Sequence, residues 1–219
     1  MGRPRERADP RVSRPRYVGL LGGSFNPAHK GHRGISLNAM RALKLDEVWW
    51  MVSPGNPLKD GAIDMAPLAA RLASARRMAR RAPIRASAIE ARLGTRYTVD
   101  TIRKLIRRYP DIRFIWLMGS DNLGQFHRWR DWRTIARAIP IAVVARPGYT
   151  TSAQSAPAMG WFRRFERRSD QATNWMTWRR PALVLLRFRP DPISATGVRA
   201  RDPDWHVRNV KHAVVQPRS

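Results

Sequence analysis

The chain has no cysteine in its 219 residues, which excludes a disulfide framework, a thiolate zinc site and a cysteine nucleophile. No apolar run approaches the roughly 18 residues needed to span a bilayer. The beginning lacks the charged tip and apolar segment of a secretion signal. Residues 1–16 instead hold many arginines and prolines and almost nothing apolar. Neither a membrane span nor export is expected, and the cytoplasm is the expected compartment. Acidic residues are scarce, 16 against 42 lysines and arginines. Lysine is scarce too, confined to Lys30, Lys44, Lys59, Lys104 and Lys211. The net charge of +26 suits RNA as well as small phosphorylated substrates, so charge alone does not choose. Because the arginines are spread from end to end, they read as compositional bias plus a solvated basic face. No specific nucleic-acid partner is expected, only weak, salt-sensitive RNA binding.

What is present supports one domain: 43% of the residues are apolar, enough for a single core. The pattern reads as a disordered basic arm over 1–16, a domain over 17–200 and a tail over 201–219. Within the domain, apolar runs alternate with helical patterns. Strands are expected at 17–21, 47–52, 84–89, 114–118, 139–144 and 182–188, and helices near 31–43, 66–82, 98–108 and 134–138. This alternation predicts an α/β doubly wound parallel sheet with helices on both faces. Residues 150–180 break the rhythm, with Trp161, Phe162, Phe165, Trp175 and Trp178 among arginines. Interleaved basic and aromatic residues can bind single-stranded nucleic acid. Packing of these rings onto the sheet is the favoured reading.

Ligands in such sheets bind at the carboxyl ends of strands. Directly after the first strand comes Gly22-Gly23-Ser24-Phe25-Asn26-Pro27-Ala28-His29-Lys30-Gly31-His32. Gly22 and Gly23 allow a sharp turn and a close approach of backbone N–H groups to an anion. A helix opening near residue 31 aims its positive end at the same space. His29 and His32, three apart, can both donate to phosphate oxygens there. Taken singly, they would be surface histidines beside a loop; eleven such residues in a row argue for nucleotide chemistry. A second element, Ile193-Ser194-Ala195-Thr196-Gly197-Val198-Arg199, follows the last strand. Ser194 and Thr196 suit a first helical turn that holds phosphate, and Arg199 lies one turn further with a fork of donors. Alone, this is a capped helix start.

The string GGSFNPAHKGH resembles the opening motif of the T/H-x-G-H nucleotidyltransferases. Within that superfamily the chain is most similar to the bacterial nicotinate mononucleotide adenylyltransferases, a resemblance that covers about residues 17–200. Ile193 to Arg199 matches the family's I-S-x-T-x-x-R motif. Arg96-Tyr97-Thr98-Val99-Asp100-Thr101 resembles its S-Y-T-x-D-T stretch, with arginine in place of the first serine. Gly119-Ser120-Asp121 followed by Trp129 resembles its G-x-D segment and the tryptophan that stacks on the pyridine ring. Arg146-Pro147-Gly148-Tyr149 matches the R-P-G after the fifth strand, and Pro54 to Lys59 the loop that approaches the mononucleotide. Asn26 stands where aspartate is common, and the tail from Asp202 departs from the family pattern.

The resemblance implies a Rossmann-like nucleotidyltransferase fold and adenylyl transfer from ATP to nicotinate mononucleotide. It implies catalysis by His29, His32 and Arg199, and ATP binding by Gly22, Gly23, Ser24, Phe25, His29, His32, Gly119, Asp121, Ile193, Ser194, Thr196 and Arg199. The mononucleotide would meet Ser24, Asn56, Lys59, Tyr97, Thr98, Asp121 and Trp129. Mg²⁺ is expected chiefly on ATP phosphate and water oxygens, with no metal cage of protein carboxylates. Competing readings are an adenylyltransferase for phosphopantetheine or nicotinamide mononucleotide, and a basic RNA-binding protein on this scaffold. The pattern leaves room for a homo-oligomer.

Overall fold

The computed structural model describes residues 14–55, 65–145, 155–188 and 194–214. Asn56, Lys59, the segment Arg146 to Tyr149, Ile193 and most of the N-terminal arm lie outside these residues. Seven strands are present: β1 (Arg16–Gly23), β2 (Glu47–Val52), β3 (Ile84–Ser87), β4 (Ile112–Gly119), β5 (Ile141–Ala145), β6 (Glu166–Arg167) and β7 (Leu183–Arg187). They form one sheet in the order β3-β2-β1-β4-β5-β7-β6, and every pairing is parallel. From β1 the order runs one way through β2 and β3 and the other way through β4 and β5. The reversal lies between β1 and β4, which pair in the register Leu21↔Leu117. A crevice outside their carboxyl ends is where ligands bind in doubly wound sheets.

The strands are apolar on both faces because helices cover both. On one side Val18, Leu20, Trp49, Met51, Phe114, Trp116 and Met118 form a core. It is covered by α3 (Ile89–Leu93), α4 (Thr98–Arg108), α5 (Ser120–Phe126), α6 (Trp132–Ala138) and α7 (Pro157–Phe162). On the other, Leu21, Val48, Trp50, Val52, Ile115 and Leu117 meet α1 (Lys30–Leu43) and α2 (Leu68–Ala79). Alternation along the strands splits neighbouring residues between the two cores. Two buried tryptophans keep a partner for the indole N–H, Trp50 donating to Ser36 Oγ at 2.7 Å and Trp175 to the Leu43 carbonyl at 2.9 Å, whereas the buried Trp116 Nε1 has none among the described residues.

The rings of 150–180 belong to these cores. Phe162 is stacked on Phe126 and Trp161 meets Trp132 edge-on, while Trp175 and Trp178 join the opposite face. Several elements differ from the sequence reading. The strand read over 84–89 stops at Ser87, and Ile89 opens α3. A short helix, α5, follows Gly119 directly. Trp129 sits in the turn before α6 and Trp132 opens that helix. Both pack against Phe126, at 5.3 and 5.7 Å between ring centroids. Two helices close the chain, α8 (Ala195–Arg201) and α9 (Trp205–Val214). Trp205 and Asn209 of α9 are buried, and Asn209 accepts from Arg77 of α2 at 2.7 Å. Among the described residues no helix is long and apolar enough to cross a membrane.

One buried carboxyl sits in the first turn of α3. Glu90 is 7% exposed, and burial pushes its pKa up to about 7. The folded chain therefore holds this proton more tightly than the unfolded chain does. The associated stability is complete below about pH 4 and is lost as the pH rises through 7. Glu90→Gln, which mimics the protonated form, is expected to stabilise the fold by about 2–3 kcal/mol at pH 8 and by little at pH 5. Urea unfolding of both proteins across this range checks the sign.

Candidate active site

The turn after β1 departs from the sequence reading in one respect. Gly22 and Gly23 are the last residues of the strand, and the chain reverses after them. Glycine at 22 answers to space: a Cβ there would lie 2.8 Å from Cη2 of Trp116, a ring 1% exposed. The reversal itself falls on Phe25, whose φ of 49° is left-handed, and on the cis Asn26–Pro27 bond. A bulky residue in that region is strained by about 1–2 kcal/mol. Packing holds it: the Phe25 ring is stacked on Trp50 at 5.0 Å and lies 4.7 Å from the His32 ring.

The two histidines lock the start of α1. His29 is the N-cap, and its Nδ1 accepts the Gly31 N–H at 3.1 Å. His32 Nδ1 accepts the His29 N–H at 3.2 Å. Both Nδ1 atoms act as acceptors, so each neutral ring carries its proton on Nε2. The rings lie 3.9 Å apart. The capping bonds thus create two imidazole donors side by side at a helix N-terminus, next to the end of β1.

The late motif reaches the same place. Ser194 caps α8, its Oγ accepting the Gly197 N–H at 3.1 Å. One turn on, Arg199 Nη1 donates to the carbonyl of Asn26 at 2.7 Å, three residues from His29. Thr196 is exposed on the first turn. Residues far apart in sequence are therefore brought together, with Asn26 between them. The Asn26 side chain faces another way, its Oδ1 accepting the Ala66 N–H at 3.2 Å.

The carboxyl end of β4 supplies Gly119, against which the Asp121 carboxylate packs, and Asp121 itself, exposed in the first turn of α5. Trp129 is half-buried, edge-on to Trp116 at 5.9 Å and to Phe126. Tyr97 is the N-cap of α4 and Thr98 its first residue. The guanidinium of Arg130 lies 4.6 Å over the Tyr97 ring. The loop before Tyr97 is held by Thr95, whose N–H donates to the Glu90 carbonyl and whose hydroxyl meets that of Thr101 at 2.8 Å.

Two residues of α2 were missed in the sequence. Ser74 Oγ accepts the Ala28 N–H at 3.2 Å, and Arg71, 1% exposed, donates to backbone carbonyls around the turn. A signal for Arg71 existed. It falls on the stripe Ala70, Arg71, Ser74, Ala75 that faces the sheet, where a charge has no ordinary reason to be.

Comparison with known proteins bears on these motifs. Residues 20–201 match the cytidylyltransferase-like family model. A protein of Erythrobacter litoralis described as a probable nicotinate-nucleotide adenylyltransferase is 62% identical over 87% of this chain and 87% of its own length. One of Parvibaculum lavamentivorans with the same description is 51% identical over 87% of this chain and 94% of its own. The chain belongs to the nicotinate-nucleotide adenylyltransferase family. A Plasmodium falciparum nicotinic acid mononucleotide adenylyltransferase, solved with NaAD, has a similar fold. Its TM-score is 0.62 at 14% identity, covering 90% of this chain and 89% of that one. The family fold is thus retained at low identity, as expected where function resides in a few grafted residues.

Gly22→Ala is expected to lower stability by about 1–3 kcal/mol, because the added methyl meets a buried ring that has no room to yield. In the double variant with Trp116→Phe the smaller ring should return most of that loss. Thermal unfolding of Gly22→Ala, Trp116→Phe and the double variant against the parent protein measures the coupling.

Proposed function

We propose that the protein transfers the adenylyl group of ATP to nicotinate mononucleotide, giving nicotinate adenine dinucleotide and pyrophosphate, a step of NAD biosynthesis. The observation that carries this reading is the Arg199 bond to Asn26, which unites the two phosphate-binding motifs beside His29 and His32. The high identity to the bacterial relatives supports the choice of substrates.

In this reaction an oxygen of the mononucleotide's 5′-phosphate attacks the α-phosphorus of ATP in line. A new phosphorus–oxygen bond forms, and the bond to the bridging oxygen breaks with its electron pair leaving on pyrophosphate. The nucleophile is already anionic at neutral pH, so no general base is needed and catalysis reduces to placement and charge stabilisation. His29 and His32 donate through Nε2 to the α- and β-phosphates, more strongly as charge builds up. Arg199 holds the departing pyrophosphate, with Thr196 and the first turn of α8 beside it. Gly119 and Asp121 border the nucleotide, and Tyr97, Thr98 and Trp129 the pyridine end. Mg²⁺ bound on ATP would supply neutralisation of phosphate charge. Among the described residues no three His, Asp or Glu side chains converge on a metal position, so ATP phosphate and water oxygens are its ligands in this proposal.

His32→Ala is expected to lower kcat about a hundredfold or more through loss of one donor. Loss of its capping bond to His29 costs only about 1 kcal/mol of stability, so the variant should stay folded. A folded variant with near-normal turnover removes His32 from the mechanism. The substrate assignment is checked by pyrophosphate release from ATP with nicotinate mononucleotide, nicotinamide mononucleotide or phosphopantetheine as acceptor. Release should be fastest with the first; equal or faster release with another reassigns the acceptor.

A further inference from the structure

A buried cation with no carboxylate partner among its described bonds lies behind the crevice. Arg71, in the first turn of α2, is 1% exposed. Its Nε donates to the Ala66 carbonyl at 2.8 Å. Nη1 donates to the carbonyls of Ser24 at 2.8 Å and Ser53 at 2.7 Å, and Nη2 to that of Pro54 at 3.1 Å. One planar fork therefore ends on three chain segments: the turn after β1, the end of β2 and the entrance to α2. Carbonyl dipoles compensate part of the cost of burying the charge but do not cancel it.

Other bonds among the described residues also join these segments, including the Ala28 N–H to Ser74 Oγ of α2 at 3.2 Å and the β1–β2 ladder that runs to Gly23 and Val52. The Ser53 N–H donates to the Gly23 carbonyl at 3.0 Å, and the Ala66 N–H to Asn26 Oδ1. Both bonds lie beside the guanidinium, whose loss would leave four carbonyls without their donor. Ser24 begins the turn that leads to His29 and His32. Pro54 and Ala66 flank the stretch of sequence that includes Asn56 and Lys59. Holding these segments at one point fixes the wall of the crevice that the turn after β1 forms.

We infer that Arg71 is a positioning residue for the transfer reaction, fixing the turn after β1 against the loop after β2 and leaving an unneutralised positive charge behind the polyphosphate. The inference rests on the adenylyl-transfer reading for its substrates, and on the hydrogen bonds alone for the pin itself. Geometry and charge are separable. Lysine keeps the charge but has three tetrahedral donors on one atom, which cannot reproduce a planar fork. In-line transfer is sensitive to displacements of about 1 Å, which can cost about a hundredfold in rate.

The test compares the full-length protein with Arg71→Lys and Arg71→Ala, with kinetics referred to the folded fraction. Arg71→Lys should lower kcat at least tenfold and raise KM for ATP and for the mononucleotide together. The amide of Ser53 should exchange with deuterium faster than in the parent protein, while amides at the centre of β4 keep their protection. Added guanidinium ion should restore part of the activity of Arg71→Ala and none of that of Arg71→Lys, a rescue that lost stability alone would not give. Parent-like kinetics per folded molecule for Arg71→Lys, or unchanged exchange at Ser53, overturns the inference. If the parent protein itself transfers no adenylyl group to nicotinate mononucleotide, the substrate reading fails, and exchange at Ser53 still decides whether the pin exists.

Discussion

The turn from Ser24 to Pro27 is held through its own carbonyl oxygens, and the rest of the site depends on that constraint. Arg71 bonds the Ser24 carbonyl from α2, Arg199 bonds that of Asn26 from α8, and the Ser53 amide bonds the neighbouring Gly23 carbonyl from the end of β2. The left-handed Phe25 persists in this setting because its ring packs against both Trp50 and His32.

Capping and chemistry coincide in α1. A serine or aspartate would cap its start as well as His29 does, but neither would present a second nitrogen. His29 and His32 use Nδ1 for the backbone, and in the proposed reaction Nε2 is the donor to phosphate. Their 3.9 Å separation follows from helical spacing and from the rings sharing one cap. Donors positioned in this way need no reorganisation as charge develops, which is the main source of electrostatic catalysis.

The excess of arginine has several distinct fates. Arg71 is buried and satisfied by carbonyls, Arg199 crosses to Asn26, and Arg130 covers Tyr97. Others sit in exposed ion pairs, such as Arg168 with Asp170, that contribute little. The aromatic residues of 161–178, which side by side with arginines suggested a nucleic-acid surface, are consumed in the two cores instead. Burial against the sheet outweighs exposure for rings of this size, each burying some 150–250 Å².

Local periodicity determined much by itself. The parallel α/β architecture, the helix after His29, and the positions of β1, β2, β4, β5 and β7 are legible because apolar repeats and turn residues act within a few positions of one another. The motif residues were legible for the same reason, as strings. Residues whose purpose comes from other segments were not legible. Arg71 shows in the sequence only as a charge out of place on the buried stripe of α2 until Ser24 and Ser53 are found around it, Gly22 as turn chemistry until Trp116 is found against it, and Glu90 as an ordinary carboxylate until its burial is seen. The order of the strands, and with it the crevice between β1 and β4, likewise follows only from how the crossovers pack. Hydrogen bonding and burial between distant segments are properties of the folded chain, and no spacing along the sequence encodes them.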